Sequence, residues 1–119
     1  MRSALLFPFL LAATPALADT LPLARGTYVQ RDQACAGAPN AVIRDYNGQG
    51  IGSSKAGQCR GRVLVRIGRR YTLHQNCVQY GGPRPYRANE NVKLRVDART
   101  AFTDLRSGAG YRLCPGLRP

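Results

Sequence analysis

The sequence has few of the groups on which catalysis depends. Its 119 residues include six carboxylates, one histidine and no tryptophan, against 18 lysines and arginines. The carboxylates stand singly, so no close pair predicts the acid–base chemistry of glycoside hydrolysis. His74 has no nearby acid in the sequence to orient it as a general base, and no Gly-x-Ser-x-Gly motif offers a nucleophile. We therefore expect that the protein is not an enzyme. The six carboxylates are Asp19, Asp32, Asp45, Glu90, Asp97 and Asp104.

Closely spaced redox or metal motifs are also missing. There is no Cys-x-x-Cys, which a thiol oxidoreductase would need, and there are no paired ligands of the kind that structural zinc requires. The glycines within Asn47–Gly52 loosely resemble a phosphate loop, but no helical pattern follows to supply a dipole. We expect no metal site and no cofactor.

Long apolar runs are confined to the first residues of the chain. A basic start, Met1-Arg2, precedes a short apolar stretch that ends in Ala16-Leu17-Ala18, a pattern typical of a cleaved secretory signal peptide. The stretch is shorter than the roughly 20 residues that a bilayer span needs, and it contains Pro8. No cysteine follows Ala18 to carry a lipid, and no second long apolar run occurs, so we expect no membrane-spanning segment. The predicted organisation is a signal peptide, 1–18, and one periplasmic or secreted domain, 19–119.

After the signal, short alternating hydrophobic segments are separated by glycine-rich turns, as in strands. Asn47-Gly48 directly follows one segment and predicts a type I′ hairpin. The pattern predicts an all-β fold, a small antiparallel barrel or sandwich of about seven to eight short strands, with an OB-type barrel as second choice. The predicted strands are 27–31, 41–46, 50–52, 59–67, 71–80, 92–96, 101–105 and 111–114.

The register of the central hairpin follows from matching its apolar faces. A three-residue loop, Gly68–Arg70, places Ile67 opposite Tyr71 and Val65 opposite Leu73, which pairs apolar residues across the strands. A two-residue loop would instead place Val65 opposite a threonine, so we expect the longer loop. In the next hairpin, the turn at 97–100 predicts pairing of Val96 with Ala101 and of Val92 with Leu105.

Four cysteines in a small exported domain predict two disulfides with three possible connectivities. In the three-residue register, Cys59 and Cys77 lie diagonally across the hairpin, about 7–8 Å apart, which is beyond comfortable disulfide reach. We therefore expect Cys35–Cys59 with Cys77–Cys114, or as the alternative Cys35–Cys77 with Cys59–Cys114. Alternation would also turn Cys114 outward, unless a bulge or a bond at the end of the last strand resolves the conflict.

The charge of the chain is strongly positive. Removal of residues 1–18 takes away one arginine, so the formal charge falls only from +12 to +11. Such a field steers polyanions towards the surface. Four arginines of the central hairpin share even numbers with His74, so unbroken alternation would align them as one outward basic stripe for anions: Arg60, Arg62, Arg66 and Arg70. The alternative is a compositional excess of arginine without a ligand.

The segment 80–87 interleaves two tyrosines with two arginines, residue types enriched at interaction hot spots and at base-stacking surfaces. It is a candidate interaction loop, and the alternative is a connector stiffened by proline. Its candidate contact residues are Tyr80, Arg84, Tyr86 and Arg87.

The chain resembles small exported four-cysteine β proteins of Gram-negative bacteria. The resemblance rests on Gly26-Thr27-Tyr28-Val29, on Cys35-x-x-Ala38-Pro39-Asn40-Ala41, on Tyr46-x-Gly48-x-Gly50-Ile51, on Cys59-Arg60 and on Tyr71-x-x-x-Gln75-x-Cys77, which run through about half of the mature chain. It implies no chemistry. A looser, architectural likeness is to periplasmic lysozyme inhibitors, although repulsion between two basic proteins argues against that role.

Three functions therefore remain as hypotheses, of which one, a small hydrolase, has no catalytic constellation in the sequence to support it. The first is a binding module whose basic surface meets an anionic envelope component or an acidic protein, without specific nucleic acid as partner. The second is an inhibitor of a lysozyme-type hydrolase that acts through the loop at 80–87.

Overall fold

Eight antiparallel strands build the fold, which confirms the predicted all-β class. The computed structural model describes residues 18–117, so the predicted signal peptide, apart from Ala18, lies outside the described residues. One turn of 3-10 helix, Asn40–Val42, precedes the second strand. The strands are β1 (Gly26–Gln30), β2 (Ile43–Tyr46), β3 (Ile51–Gly52), β4 (Ala56–Ile67), β5 (Arg70–Gln79), β6 (Tyr86–Ala98), β7 (Ala101–Asp104) and β8 (Gly110–Leu113).

All eight strands form a single sheet that curls into a nearly closed barrel. Their order in space is β3-β2-β1-β8-β7-β6-β5-β4. The first strand lies between β2 and β8, so the two ends of the folded chain are joined by backbone hydrogen bonds. Curling removes most of the exposed edge that a flat sheet of eight strands would carry.

At the seam between the two outermost strands, β3 and β4, the backbones of Ser53 and Ala56 pair directly, whereas a side chain closes the gap at Ile51. Gln75, fully buried on β5, donates from Nε2 to the Ile51 carbonyl and accepts from the Ile51 N–H at Oε1, both at 2.8 Å. The amide thus makes the two hydrogen bonds that a neighbouring strand would make. A Cβ at Gly50 would lie 2.7 Å from the same Oε1, so this position needs glycine.

One end of the barrel is plugged by the segment that precedes β1. Leu21 and Leu23 are buried against the core. The Leu21 N–H donates to the Tyr46 hydroxyl at 2.8 Å, and the Tyr28 hydroxyl donates to the Ala24 carbonyl at 2.6 Å. The opposite end has no such plug among the described residues, and we call it the mouth. The core between these ends consists of Tyr28, Tyr46, Ile51, Tyr71, Leu73, Leu94, Val96, Phe102 and Tyr111.

The turn of the central hairpin is shorter than the sequence predicted. Gly68 and Arg69 form a two-residue loop, so Ile67 pairs with Arg70 and not with Tyr71. Gly68 has a φ of 61°, which suits a glycine at the first central position of a type II′ turn. The predicted three-residue register is therefore wrong.

The reason for the error is a bulge in β4 at Leu64. This residue is inserted between two ladder pairs, Val63 with Leu73 and Val65 with Thr72. Matching of apolar faces assumed unbroken alternation, whereas a bulge shifts one strand by a residue and reverses which side the following side chains take. Val63 faces the core, and Val65 faces outward.

The two expected disulfides are present, but both predicted pairings are wrong. The bonds join Cys59 to Cys77 and Cys35 to Cys114. A second bulge in β4, where Gln58 has a φ of 50°, brings Cys59 opposite Cys77 with their Cα atoms 4.1 Å apart. Unbroken alternation had placed these residues diagonally.

The other bond resolves the conflict at the last strand. Cys114 directly follows β8, is 1% exposed and reaches Cys35 in the loop after β1. A bond at the end of a strand was one of the two expected solutions.

Two further turns differ from prediction. Val96 pairs with Phe102 and not with Ala101, because a bulge in β6 lies between Val96 and Ala98, the residue that pairs with Ala101. The predicted pair of Val92 and Leu105 is also absent, because β7 ends at Asp104, opposite Leu94.

The Asn47-Gly48 hairpin exists, but as a four-residue loop. Asn47 Oδ1 accepts from the N–H groups of Gln49 and Gly50, at 2.8 and 2.9 Å, which makes an Asx turn in place of type I′.

Candidate functional site

The outer side of the three longest strands carries most of the candidate binding residues. On β5, the middle strand of the three, Tyr71, Leu73, Gln75 and Cys77 are buried, so the residues between them face outward. The ladder therefore decides which residues of β4 and β6 share this outer side.

Two of the predicted stripe residues lie side by side on the outer surface. Arg62 pairs with His74 and Arg60 pairs with Asn76, and both arginines are exposed. Arg70 begins β5 on the same side, opposite Ile67.

The remaining stripe residue, Arg66, is turned away from this side. The Leu64 bulge places Arg66 opposite Tyr71, and its guanidinium carbon lies 5.5 Å from the centre of the Tyr71 ring. This is cation–π distance. The single stripe of four arginines is therefore interrupted.

Two cations from β6 complete the outer surface, and sequence reasoning had not connected them with the stripe. Lys93 pairs with Thr72 and Arg87 pairs with Val78, so both project outward and both are exposed. We call the outer side of β4–β6 the basic face. A sixth cation of this face, Arg95, is paired with Asp97. Within the described residues, the cations of this face that remain outside ion pairs are Arg60, Arg62, Arg70, Arg87 and Lys93.

Among the outward residues of these three strands, all within residues 18–117, the one carboxylate is Asp97. It is bound by Arg31 at 2.9 Å and by Arg95 at 2.6 Å, and Thr103 donates to it at 2.6 Å. Partial burial opposes ionisation of Asp97, but the hydrogen bonds from Thr103 and Arg95 and the two positive charges outweigh burial and hold its pKa below the ordinary value. Asp97 therefore neutralises Arg31 and Arg95 and not the other five cations of the basic face.

Two side-chain pairs link β5 and β6 on the basic face. His74 Nδ1 and Asn91 Oδ1 are 2.7 Å apart, and Asn76 Nδ2 donates to Asn89 Oδ1 at 3.0 Å. His74 is therefore paired with an amide and not with an acid, which does not provide the oriented base of a catalytic pair.

Arg87 has a structural role besides its charge. Its guanidinium donates to Asn76 Oδ1 at 2.5 Å and to the Gln58 carbonyl at 3.2 Å, and so spans the three strands. The Gln58 carbonyl belongs to the bulge that aligns the cysteines. Of the four residues proposed for the interaction loop, Arg87 is thus part of the basic face.

The other members of the proposed loop lie near the mouth. Tyr80 follows β5, Arg84 lies in the loop and Tyr86 begins β6, so the loop is shorter than predicted. The tyrosine side chains are 45% and 60% exposed.

The mouth contains a cavity of 280 Å³ that the sequence did not reveal. Arg44 and Lys55 line it together with Glu90 and Asp104, above a floor of aromatic rings. The Arg44 guanidinium carbon lies 5.4 Å from the centre of the Tyr111 ring. These residues come from five different parts of the chain, and no local spacing marks them as neighbours.

No protein-family model, curated protein or solved structure matched the chain. Residues 18–117 contain no group of three or more histidine, cysteine, aspartate or glutamate side chains that could hold a metal ion. Within the same residues, no helix has the length and apolar character to cross a membrane.

Proposed function

We propose that the protein is an exported, non-enzymatic binding module whose basic face holds an anionic partner, either an envelope component or an acidic protein. The observation that carries this proposal is the presence, within residues 18–117, of five exposed cations without ion-pair partners on one face, whose single carboxylate is already neutralised.

Geometry supports collective binding by these cations. Neighbouring strands lie about 4.8 Å apart, and alternate residues of one strand about 7 Å apart. Arg60 and Arg62 therefore stand next to each other on one edge of the face, while Lys93 lies two strands away. One exposed ion pair contributes at most about 1 kcal/mol. When several anionic groups of one polymer bind these cations at the same time, the counterions of all these groups are released. The affinity then falls steeply as the salt concentration rises.

The two disulfides are compatible with export to an oxidising compartment. This agrees with the predicted signal peptide and with an encounter at the cell envelope, where phosphate-bearing polymers and lipids are the abundant polyanions.

Heparin, a sulfated polyanion, provides the direct test. The Arg60→Gln/Arg62→Gln variant should elute at lower salt than the unmodified chain, and the slope of log affinity against log salt should fall by about 2. The matched control is Arg99→Gln/Arg106→Gln, which also removes two exposed charges but none from the basic face or from the loop at 80–87. Equal weakening by both variants would show that only net charge matters and would contradict the proposal.

A second candidate function is supported by the exposed tyrosines at the mouth. Tyr80 and Tyr86 are aromatic side chains of the kind that anchor inhibitor loops in enzyme clefts. If the protein inhibits a lysozyme-type hydrolase through this loop, stoichiometric addition should slow cell-wall lysis by that enzyme, and Tyr86→Ala should restore the rate. Full lysis rates at micromolar protein would exclude this second candidate.

A further inference from the structure

The end of the β4–β5 hairpin, residues 64–70, exposes aliphatic side chains to solvent. We call it the hairpin tip. Within residues 18–117, four large aliphatic side chains are exposed, and three of them belong to the tip: Leu64 at 45%, Val65 at 48% and Ile67 at 72%. The fourth, Leu117, is 37% exposed and lies at the other end of the described chain.

These side chains are exposed because of the backbone. Beyond the Leu64 bulge, Val65 pairs with Thr72 and Ile67 with Arg70, on the outer side of the sheet. Without the bulge, the alternation from Val63 would have turned both β-branched residues inward. Exposed apolar surface of this kind, grouped and bordered by charge, marks an interaction site.

Cations surround the aliphatic side chains. Arg66, Arg69 and Arg70 belong to the tip itself, and Lys93 lies beside it on β6. Within the described part of the chain, none of these four takes part in an ion pair. Between Val65 and Ile67 on one side and Leu105 on the other runs a groove of 470 Å³, with Arg70 and Lys93 among its lining residues.

We infer that the hairpin tip docks this protein on the surface of a bilayer that contains anionic phospholipid. The inference rests on the proposed function, because the basic face supplies the long-range attraction, and it adds the partner and the contact. The aliphatic side chains enter the boundary between headgroups and acyl chains, and the surrounding cations bind the lipid phosphates.

The composition of the tip favours a lipid surface over a protein partner. Protein hot spots are enriched in tyrosine and tryptophan, whereas the exposed tyrosines of this molecule lie at the opposite end of β5, near the mouth. The tip offers only aliphatic side chains and cations.

Because the sequence contains no tryptophan, the fluorescence of a single introduced tryptophan reports on its own position alone. The Ile67→Trp variant carries one tryptophan at the tip, and the matched Tyr86→Trp variant carries one at the mouth. Both are made in the domain 19–119 and mixed with vesicles of phosphatidylcholine, with and without phosphatidylglycerol. We expect the emission of the Ile67→Trp variant to shift to shorter wavelength only with phosphatidylglycerol, and that of the Tyr86→Trp variant to remain unchanged.

Sedimentation with the same vesicles measures the contribution of the side chain. Ile67→Ser should weaken partitioning on the order of tenfold, because it removes the most exposed aliphatic group from the contact, whereas Leu117→Ser should leave partitioning unchanged. Both changes are at exposed positions and keep the net charge, so unchanged far-ultraviolet circular dichroism confirms that both variants fold.

The other outcomes separate this inference from the proposed function. If the Ile67→Ser variant binds vesicles as well as the unmodified protein, and the Ile67→Trp variant shows no emission shift, the protein adsorbs by charge alone. That result would overturn tip docking. Retention on heparin without any vesicle binding would overturn tip docking and leave the proposed function standing, whereas loss of both would overturn both. Concentration-dependent dimers in the absence of lipid, abolished by Ile67→Ser, would assign the tip to self-association and also overturn the inference.

Discussion

The Gln75 side chain occupies the position of a strand partner for Ile51, and replacing it tests how the barrel is closed. Gln75→Leu keeps a side chain of similar size but removes both hydrogen bonds to the Ile51 backbone, and also the 2.8 Å bond from Nε2 to Glu90. Ile51 is 8% exposed, so its freed N–H and C=O have little access to water. Glu90 is exposed and regains a water molecule.

The magnitude follows from the two groups that lose their partners. Each buried backbone group left unpaired costs about 1–3 kcal/mol, which gives about 2–6 kcal/mol for the pair. The added apolar contact of leucine offsets part of this cost, so we expect the free energy of unfolding to fall by about 3 kcal/mol. A domain of this size is stable by about 5–15 kcal/mol, so the loss is a large fraction of the total.

Urea unfolding with the disulfides intact measures the effect. A loss of about 3 kcal/mol should lower the midpoint by about 1.5–3 M. The matched control is Gln79→Leu on the same strand, where the amide makes only one 3.5 Å contact, to the Cys77 carbonyl, and we expect a loss below about 0.5 kcal/mol. Amide exchange adds a local test, because the Ile51 N–H should be protected in the unmodified protein and exchange faster in the Gln75→Leu variant. Equal losses in the two variants, or an unprotected Ile51 amide in the unmodified protein, would refute the role assigned to Gln75.

Two further predictions concern the covalent and ionic contributions to stability. Loop-closure entropy predicts that replacing the pair Cys35 and Cys114 by alanine, with a separation of 79 residues, costs about 4.5 kcal/mol, and that replacing Cys59 and Cys77, with a separation of 18, costs about 3 kcal/mol. The reverse order in urea unfolding would contradict the entropic account, and peptide mapping without reductant checks the pairing itself. The pKa of Asp97 is lower in the folded state than in the unfolded state. Its contribution to the free energy of unfolding is therefore fully present above the pKa of the unfolded state, and it is lost as the pH falls through the pKa of the folded state. The stability difference between the unmodified protein and Asp97→Asn should therefore shrink from about pH 5 to about pH 2, and a difference that stays constant over this range would show that Asp97 does not act through its charge.

Local sequence patterns predicted most of the fold. Alternation and glycine turns located all eight strands, and the ends of β1, β7 and β8 agree within one residue with the predicted segments. These features depend on neighbouring residues, so they can be read along the chain. The plug formed by Leu21 and Leu23 was missed because the segment has no strand pattern, and it becomes apolar core only when the barrel offers an open end.

The candidate site was predicted in part, and the limit is physical. Arg60, Arg62 and Arg70 share the outer side because the two-residue turn and the Leu64 bulge each shift the register by one residue, and the two shifts cancel. Lys93 and Arg87 join them through pairing between β5 and β6. Cross-strand register depends on the whole barrel and cannot be read from one strand. The mouth cavity is the extreme case, since its charged residues come from distant segments.

The two bulges of β4 connect the stability of the molecule with its proposed binding. The first, at Gln58, brings Cys59 opposite Cys77 and so fixes a disulfide between β4 and β5. The second, at Leu64, separates the strand into a part that presents arginines and a tip that presents aliphatic side chains.

Without the second bulge, Arg66 would extend the basic stripe and Ile67 would turn towards the core. Full burial of such a side chain stabilises a fold by about 1.5–3 kcal/mol. Most of this stabilisation is missing here, because Ile67 is 72% exposed. Since no described residue covers the tip, the burial that the fold gives up is available to a partner. Because arginines surround the tip, the partner that can supply this burial is one with an anionic surface and an apolar interior.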